Sequence, residues 1–130
     1  MPSATKDYST SDPATDALVR DMIKAIADKW TWLVLEELAE GERRFSRLRD
    51  ALEGVSQKVL SATLRRLERD GFVARRVTPT VPPRVDLRLT RPGASLAHAF
   101  CSVWIRAEKN HGPVARVRER FDRAAVRKTE

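Results

Sequence analysis

Cysteine is nearly absent, since the 130 residues contain only Cys101. A single thiol excludes an intramolecular disulfide framework and a zinc site built on paired thiolates, and it favours a reducing compartment, the cytoplasm. No apolar run approaches the roughly 18 residues that a membrane span requires. The first residues also lack the basic-then-apolar order of a secretory signal. We therefore expect a cytoplasmic chain that does not cross a membrane.

Patterns typical of enzymes are equally scarce. No Ser/His/Asp set, glycine-rich phosphate loop or pair of catalytic carboxylates stands out in the sequence. The two histidines, His98 and His111, are neither close-spaced nor accompanied by a ligand set, which argues against a zinc site. We therefore expect no catalytic residue, no metal and no cofactor, and we do not expect an enzyme.

Basic residues are abundant but unevenly distributed. Residues 1–42 contain 4 Lys/Arg against 9 Asp/Glu, residues 43–91 contain 13 against 5, and residues 92–130 contain 8 against 4. The net charges of these segments are −5, +8 and +4, in a chain of formal net charge +7. A basic middle segment predicts a polyanionic partner, with nucleic acid first and an anionic membrane surface second.

Capping residues and glycines divide this basic segment into short helices. Ser46 and Ser56 are predicted N-caps, and Gly71 is a predicted helix stop. They define two helices, over about residues 47–52 and 57–70, joined by a glycine-containing turn. Two short capped helices around such a turn form a helix-turn-helix pattern.

Apolar helices are predicted on both sides of this pattern. Asp28 is a predicted N-cap, and the helix that follows it is apolar nearly all round in its first turns and is the predicted central core helix. A long helix over about residues 91–110 is expected to end at Gly112-Pro113, before a basic last helix over about 114–127. Cys101 lies in the apolar part of the long helix and is expected to be a buried small hydrophobe rather than a redox switch.

The second helix of the helix-turn-helix pattern has two different faces. At 100° per residue, Leu60, Leu64 and Leu67 fall within about 60° of one another and form the stripe that faces the core. The opposite face is basic, and the helix contains no acidic residue before Glu68. An α-helix fits the major groove of B-DNA, and its first residues reach the base edges. We therefore predict that this helix contacts DNA.

The first turns of this helix carry side chains suited to base recognition. Gln57 is expected to pair with adenine, and Lys58 or Arg65 with guanine, while Ser56 and the free N–H groups of the helix start are expected to bind a phosphate. The predicted DNA-contacting residues of this helix are Ser56, Gln57, Lys58, Ser61, Ala62, Arg65, Arg66 and Arg69.

Two strands follow, over about residues 72–77 and 84–89, and a proline-rich segment of residues 78–83 separates them. The second strand alternates strictly between apolar and charged residues, as a half-buried strand does. A charged hairpin beside a recognition helix is a wing, which would contact phosphates or the minor groove. An ordinary surface hairpin, with Asp86 and Arg88 paired as surface charges, is the alternative. The predicted contact residues of the wing and its flanks are Arg44, Arg75, Arg76, Thr80 and Arg84.

The terminal helices carry more apolar surface than one small domain can cover, which favours dimerisation. The predicted dimer-interface residues are Leu18, Met22, Leu96, Phe100, Val103 and Trp104. Aromatic residues could also line a small-molecule pocket between the core helix and the long helix, although aromatic residues at helical spacing more often belong to the core or a dimer interface. The candidate pocket residues are Trp30, Trp32, Phe100 and Trp104.

Several short motifs between residues 17 and 96 resemble those of a known family. They are DKWT from Asp28, EL at Glu37, RFSRL from Arg44, GVSQKVL from Gly54, LRRLERDGFV from Leu64, VPPRV from Val81 and LT at Leu89 followed by Gly93. Together these motifs resemble the HxlR-type family of bacterial winged-helix transcriptional regulators, relatives of the MarR group. Many members of that family carry Cys-Pro before the first helix and some sense oxidants there, whereas this chain has Asp12-Pro13.

The resemblance implies a DNA-binding homodimer that controls transcription. The expected fold is mainly α with a small β-hairpin wing, a winged helix-turn-helix that dimerises through its N-terminal and C-terminal helices. The expected regions are a flexible arm (1–13), an N-terminal dimerisation helix (14–27), a winged helix-turn-helix domain (28–90) and C-terminal dimerisation helices (91–127).

The expected function is repression of transcription by a homodimer on an inverted-repeat operator in double-stranded DNA, relieved by a small-molecule effector. The protein would be cytoplasmic, and nucleoid-associated when bound. Two alternatives remain open at this point. One is a winged-helix protein–protein interaction module without sequence-specific DNA binding. The other is a membrane-surface protein that uses the basic last helix.

Overall fold

The computed structural model describes residues 12–129 as helices around a small sheet. The helices are α1 (Pro13–Ile26), α2 (Lys29–Ala39), α3 (Phe45–Ala51), α4 (Gln57–Arg69), α5 (Arg91–Lys109) and α6 (His111–Thr129). The strands are β1 (Arg43–Arg44), β2 (Val73–Thr78) and β3 (Arg84–Leu89). None of the helices in this part of the chain is long and apolar enough to cross a membrane.

The sheet is antiparallel, with the strand order β1-β3-β2. Strands β2 and β3 form a hairpin whose register pairs Val73 with Leu89 and Thr78 with Arg84. The proline-rich tip projects from the body, and Val81 within it is fully exposed. The mainly helical fold with a hairpin wing, expected from the sequence, is confirmed.

The hydrophobic core is built around α2, as its apolar pattern predicts. Val34 and Leu35 are completely buried, and α2 contacts α1, α3, α4, α5 and β3. Asp28 caps this helix by accepting hydrogen bonds from the backbone N–H groups of Trp30 (3.1 Å) and Thr31 (3.2 Å). A capped helix that is buried on several sides gives the surrounding helices a fixed support.

Two predicted boundaries are wrong. Helix α3 begins at Phe45, so Ser46 lies inside it, and Arg44 occupies the N-cap position without a side-chain hydrogen bond. The break between α5 and α6 falls at Asn110 rather than at Gly112-Pro113. Pro113 lies in the first turn of α6, where a helix does not need the N–H group that proline lacks.

The predicted flexible arm is only partly within the described residues. Residues 1–11 lie outside them, whereas Asp12 and Pro13 begin α1 instead of ending an arm. The Asp12 carboxylate accepts a hydrogen bond from the backbone N–H of Thr15 at 3.4 Å. In this chain the residue before Pro13 therefore caps a helix.

Helix α5 is joined closely to the base of the wing. Gly71 ends the α4 segment with a φ of +78°, and its carbonyl oxygen accepts a hydrogen bond from the Thr90 hydroxyl. That hydroxyl oxygen in turn accepts a hydrogen bond from the Gly93 N–H at 3.2 Å. A Cβ atom on Gly93 would lie 2.0 Å from the Phe72 carbonyl oxygen. The start of α5 therefore contacts the wing backbone so closely that only glycine fits.

Candidate nucleic-acid interface

Helix α4 is held by one face and free on the other. Leu60, Leu64 and Leu67 are buried against the core, as predicted, and Thr63 is buried beside them. Ser56 caps the helix, because its side-chain oxygen accepts a hydrogen bond from the Val59 N–H at 3.1 Å. The buried stripe and the cap thus fix the direction in which the opposite face points.

The outer face of α4 is cationic and solvent-exposed. Lys58, Ala62, Arg65 and Arg69 are all exposed. Within residues 12–129, no carboxylate forms an ion pair with Lys58, Arg65 or Arg69. Ser61 lies half-buried at the edge of this face. Unpaired cations on a protruding helix are suited to DNA, since phosphates can neutralise them.

Arg66 lies on the flank of α4 and faces the protein body. Its Nη2 atom lies 3.8 Å from the Asp28 carboxylate, the same group that caps α2. Of the arginines predicted on this helix, Arg66 alone has an intramolecular carboxylate partner among the described residues. The ion pair connects the recognition helix to the start of the core helix.

The first residue of α4 has a neighbour that the sequence analysis missed. The Arg49 Nη1 atom of α3 donates a hydrogen bond to the Gln57 Oε1 atom at 3.4 Å, across the turn of the helix-turn-helix. Arg44 on β1 and Arg47 and Arg49 on α3 are all exposed. Arg44 was predicted as a flank residue. Arg47 and Arg49 were not, although the charge count of the basic segment already included them.

The charged face of the wing surrounds one buried carboxylate. The register places Asp86 of β3 opposite Arg44 of β1 and Arg76 of β2, with Arg84 and Arg88 on the same face of β3. Asp86 is buried, and its two oxygens accept hydrogen bonds from the Arg84 Nε atom at 3.2 and 3.1 Å. The pairing of Asp86 with Arg88 as surface charges, given as the alternative, is therefore wrong.

Arg75 and Arg76 are also paired, whereas Arg44 has no carboxylate partner within residues 12–129. The Arg75 Nε atom lies 3.2 Å from the Glu68 carboxylate of α4. The Arg76 Nη2 atom donates to the Glu42 carboxylate at 3.0 Å. Thr80 at the tip donates its hydroxyl hydrogen bond to the Pro82 carbonyl oxygen at 2.8 Å. Ion pairs thus hold Arg75 and Arg76 against elements outside the hairpin, and each paired guanidinium has further N–H donors that the pair does not use.

The predicted dimer-interface residues form two groups in the single chain. Leu18, Val103 and Trp104 are more than half exposed. Met22, Leu96 and Phe100 are instead partly buried against the core of their own chain. On α6, Val117 and Phe121 were not among the predicted interface residues and are also more than half exposed. No residue of α6 is buried.

A groove of about 730 Å³ lies between α2 and α5. It brings together Trp32, Phe100 and Trp104 of the predicted pocket, and the rings of Trp32 and Phe100 stack with their centroids 4.3 Å apart. Trp30 does not line it; this residue packs against the core, below the Lys29 ammonium. Cys101 lines the groove and is exposed, which contradicts its expected burial. The cause is that α5 leaves the protein body after Phe100.

Comparisons with known proteins agree with this geometry. A family model described as HxlR-like helix-turn-helix matches residues 25–112. The HTH-type transcriptional regulator YtfH of Escherichia coli (strain K12), itself uncharacterized, is 39% identical over 106 residues, which are 82% of this chain and 82% of that protein.

Solved structures show the same fold. The structure of ytfH from Salmonella typhimurium, designated a transcriptional regulator, has a TM-score of 0.70 at 37% identity and covers 78% of this chain and 90% of that chain. A protein from Enterococcus faecalis V583 that is designated a MarR-family regulator has a TM-score of 0.70 at 32% identity, covering 85% of this chain and 99% of that chain.

Proposed function

The chain belongs to the HxlR-like helix-turn-helix family of transcriptional regulators, a family of DNA-binding proteins and not of enzymes, and we propose that it represses transcription as a homodimer. The observation that carries the proposal is the outer face of α4. Its cations have no carboxylate partner within residues 12–129, while the buried leucine stripe holds the helix in place. A dimer bound over a promoter would block the polymerase.

Helix α4 enters the major groove in the proposed complex. Its first turns, with Gln57, Ser61, Ala62 and Arg65, meet the base edges, and Lys58 lies near a phosphate. The Ser56 end and the flanking Arg66 and Arg69 lie near phosphates. The wing runs along the backbone, and its contact residues are Arg44, Arg75, Arg76, Thr80 and Arg84.

Exposed apolar side chains on the terminal helices support the homodimer. Leu18 and Ile23 on α1, Trp104 on α5 and Val117 and Phe121 on α6 are each more than half exposed. Apolar surface of this extent is a liability for a monomer. A second copy of the chain would cover it, and two-fold symmetry would place two α4 helices on half-sites about 34 Å apart, or a multiple of one helical turn.

Light scattering at micromolar concentration tests the dimer. We expect twice the chain mass for the parent protein and a shift toward the monomer mass for Phe121→Glu. The matched control is Val81→Glu, which introduces the same charge at the exposed wing tip and should remain dimeric. A monomeric parent protein would overturn the dimer proposal.

Selection of bound sequences from a random duplex pool tests the DNA-binding proposal. We expect an enriched inverted repeat whose binding weakens with added salt. If the protein retards every duplex equally, it binds DNA without sequence specificity, and the proposal of specific binding is wrong. Failure to bind duplex, together with binding to anionic vesicles, would favour the membrane-surface alternative.

Transcription in vitro from a template whose promoter overlaps the selected operator tests the sign of regulation. We expect transcript yield to fall as the protein occupies the operator. A template with a scrambled operator is the control and should give constant yield. An increase in transcript from the operator template would make the protein an activator.

We also propose that an aromatic, largely apolar molecule in the groove between α2 and α5 relieves repression. The stacked Trp32 and Phe100 rings offer it an aromatic surface, and α5 leads from the groove to the terminal helices. An anilinonaphthalene sulfonate probe should bind the parent protein and release the operator. Probe binding that leaves operator occupancy unchanged would contradict the regulatory role of the groove.

A further inference from the structure

We propose that Arg49 sets the base preference of Gln57, so that this glutamine selects guanine rather than the adenine expected from its amide alone. The inference rests on the proposed contact between α4 and the major groove. It makes Arg49, a residue of the neighbouring helix, a positioning residue for base recognition.

The geometry fixes the orientation of the Gln57 amide. Arginine has only donors, so the atom that faces the Arg49 Nη1 at 3.4 Å must be the amide oxygen Oε1. The amide nitrogen Nε2 then points away from the guanidinium. Gln57 is the first residue of α4, the position from which a recognition helix reaches base edges.

This orientation changes which base the glutamine fits. A free glutamine pairs with adenine by accepting from the N6 amino group and donating to N7. Here a cation lies against the accepting oxygen and repels the partly positive amino group of adenine. The two N–H groups of Nε2 meet an edge with two neighbouring acceptors and no donor, which in the major groove is the O6 and N7 edge of guanine.

Arg49 is available to contact the DNA backbone. It is exposed, and within the described residues it forms no ion pair with a carboxylate. One of its five N–H donors is directed to Gln57, which leaves four for the phosphate backbone. A phosphate contact would fix the guanidinium beside Gln57, and exclusion of water from the interface would strengthen the pair.

The test is selection from a random duplex pool with the full chain and with single variants. Gln57→Ala identifies the base position that Gln57 reads, because the preference there should disappear. At that position the parent protein should select guanine, and Arg49→Met should shift the ratio of adenine to guanine by about fivefold or more. Arg49→Lys, which keeps a donor-only cation, should retain the guanine preference. Arg47→Met is the matched control for loss of charge and should leave the ratio unchanged.

The double variant Arg49→Met/Gln57→Ala separates positioning from direct contact. If Arg49 acts through Gln57, the base ratio at this position should be the same in the double variant as in Gln57→Ala. A ratio that still changes would show that Arg49 reads the base itself and would overturn the proposal. Equal weakening of all sequences by Arg49→Met, or selection of adenine by the parent protein, would also overturn it. If the parent protein enriches no sequence, the proposed DNA-binding function itself fails.

Discussion

The recognition helix and the wing carry similar numbers of basic residues but use them differently. On α4, Lys58, Arg65 and Arg69 have no carboxylate partner within residues 12–129. On the wing, Arg75, Arg76 and Arg84 each pair with a carboxylate, in Glu68, Glu42 and Asp86 respectively. Charge on α4 is therefore available to a polyanion, whereas charge on the wing is already largely neutralised. The difference predicts that DNA affinity depends much more on α4.

The largest expected effect comes from the centre of the free face. Arg65→Ala should weaken specific operator binding by about 1–3 kcal/mol, because it removes the proposed base contact. Binding to unrelated duplex should weaken less. The matched control Arg127→Ala removes an equal charge near the end of α6. If Arg65→Ala binds the operator as tightly as the parent protein, the proposal that this face reads bases through Arg65 is wrong.

The salt dependence of DNA binding tests the cationic outer face of α4 as a whole rather than one residue of it. The double variant Lys58→Ala/Arg69→Ala should lower the slope of log K against log salt by about two, if each side chain neutralises one phosphate. Titration of a fixed duplex over a range of salt concentrations measures this slope. An unchanged slope would place both cations away from the backbone.

Removing the carboxylate partner of a wing arginine should change the salt slope by a smaller amount and in the opposite direction. Glu68→Gln removes the carboxylate that Arg75 contacts at 3.2 Å. The released guanidinium should add about one phosphate contact, so the salt slope should steepen by about one. Glu119→Gln is the control, because it frees Arg123 on α6 in the same way. If both variants steepen the slope equally, the wing has no special position on DNA.

We expect the smallest change in the salt slope when both members of one wing ion pair are replaced. Arg75→Ala/Glu68→Ala leaves the net charge unchanged and removes a surface pair of the kind that contributes at most about 1 kcal/mol to stability. If the pair persists on DNA, the salt slope should stay at the parent value. A decrease of about one would show that Arg75 exchanges Glu68 for a phosphate in the complex.

Local signals in the sequence were sufficient for most of the fold. The leucine stripe of α4, the Ser56 and Asp28 caps and the apolar α2 were predicted correctly, because each depends on residues within one or two helical turns. The helix break at Asn110 was not predicted correctly, because a Gly-Pro pair can lie inside the first turn of a helix as well as end a helix. The exposure of Cys101 was missed because an apolar helix pattern does not reveal where the helix leaves the protein body.

Pairing across elements was beyond the sequence pattern. Alternation along β3 places Arg84, Asp86 and Arg88 on one face, but it does not show which arginine pairs with the aspartate. That choice depends on side-chain directions in a sheet where β1 places Arg44 opposite Asp86. The contact of Arg49 with Gln57 joins residues eight apart on two helices, so neither helix periodicity predicts it.

The close approach of Gly93 to the Phe72 carbonyl has a consequence for operator length. Because no side chain separates the two backbones, the angle between α5 and the DNA-reading elements is fixed at this contact. In the proposed dimer, that angle determines how far apart the two α4 helices lie. Gly93 has no predicted contact with DNA or with a second copy of the chain, yet it would determine which half-site spacing the dimer accepts. A larger residue at this position would change the number of base pairs between the two half-sites.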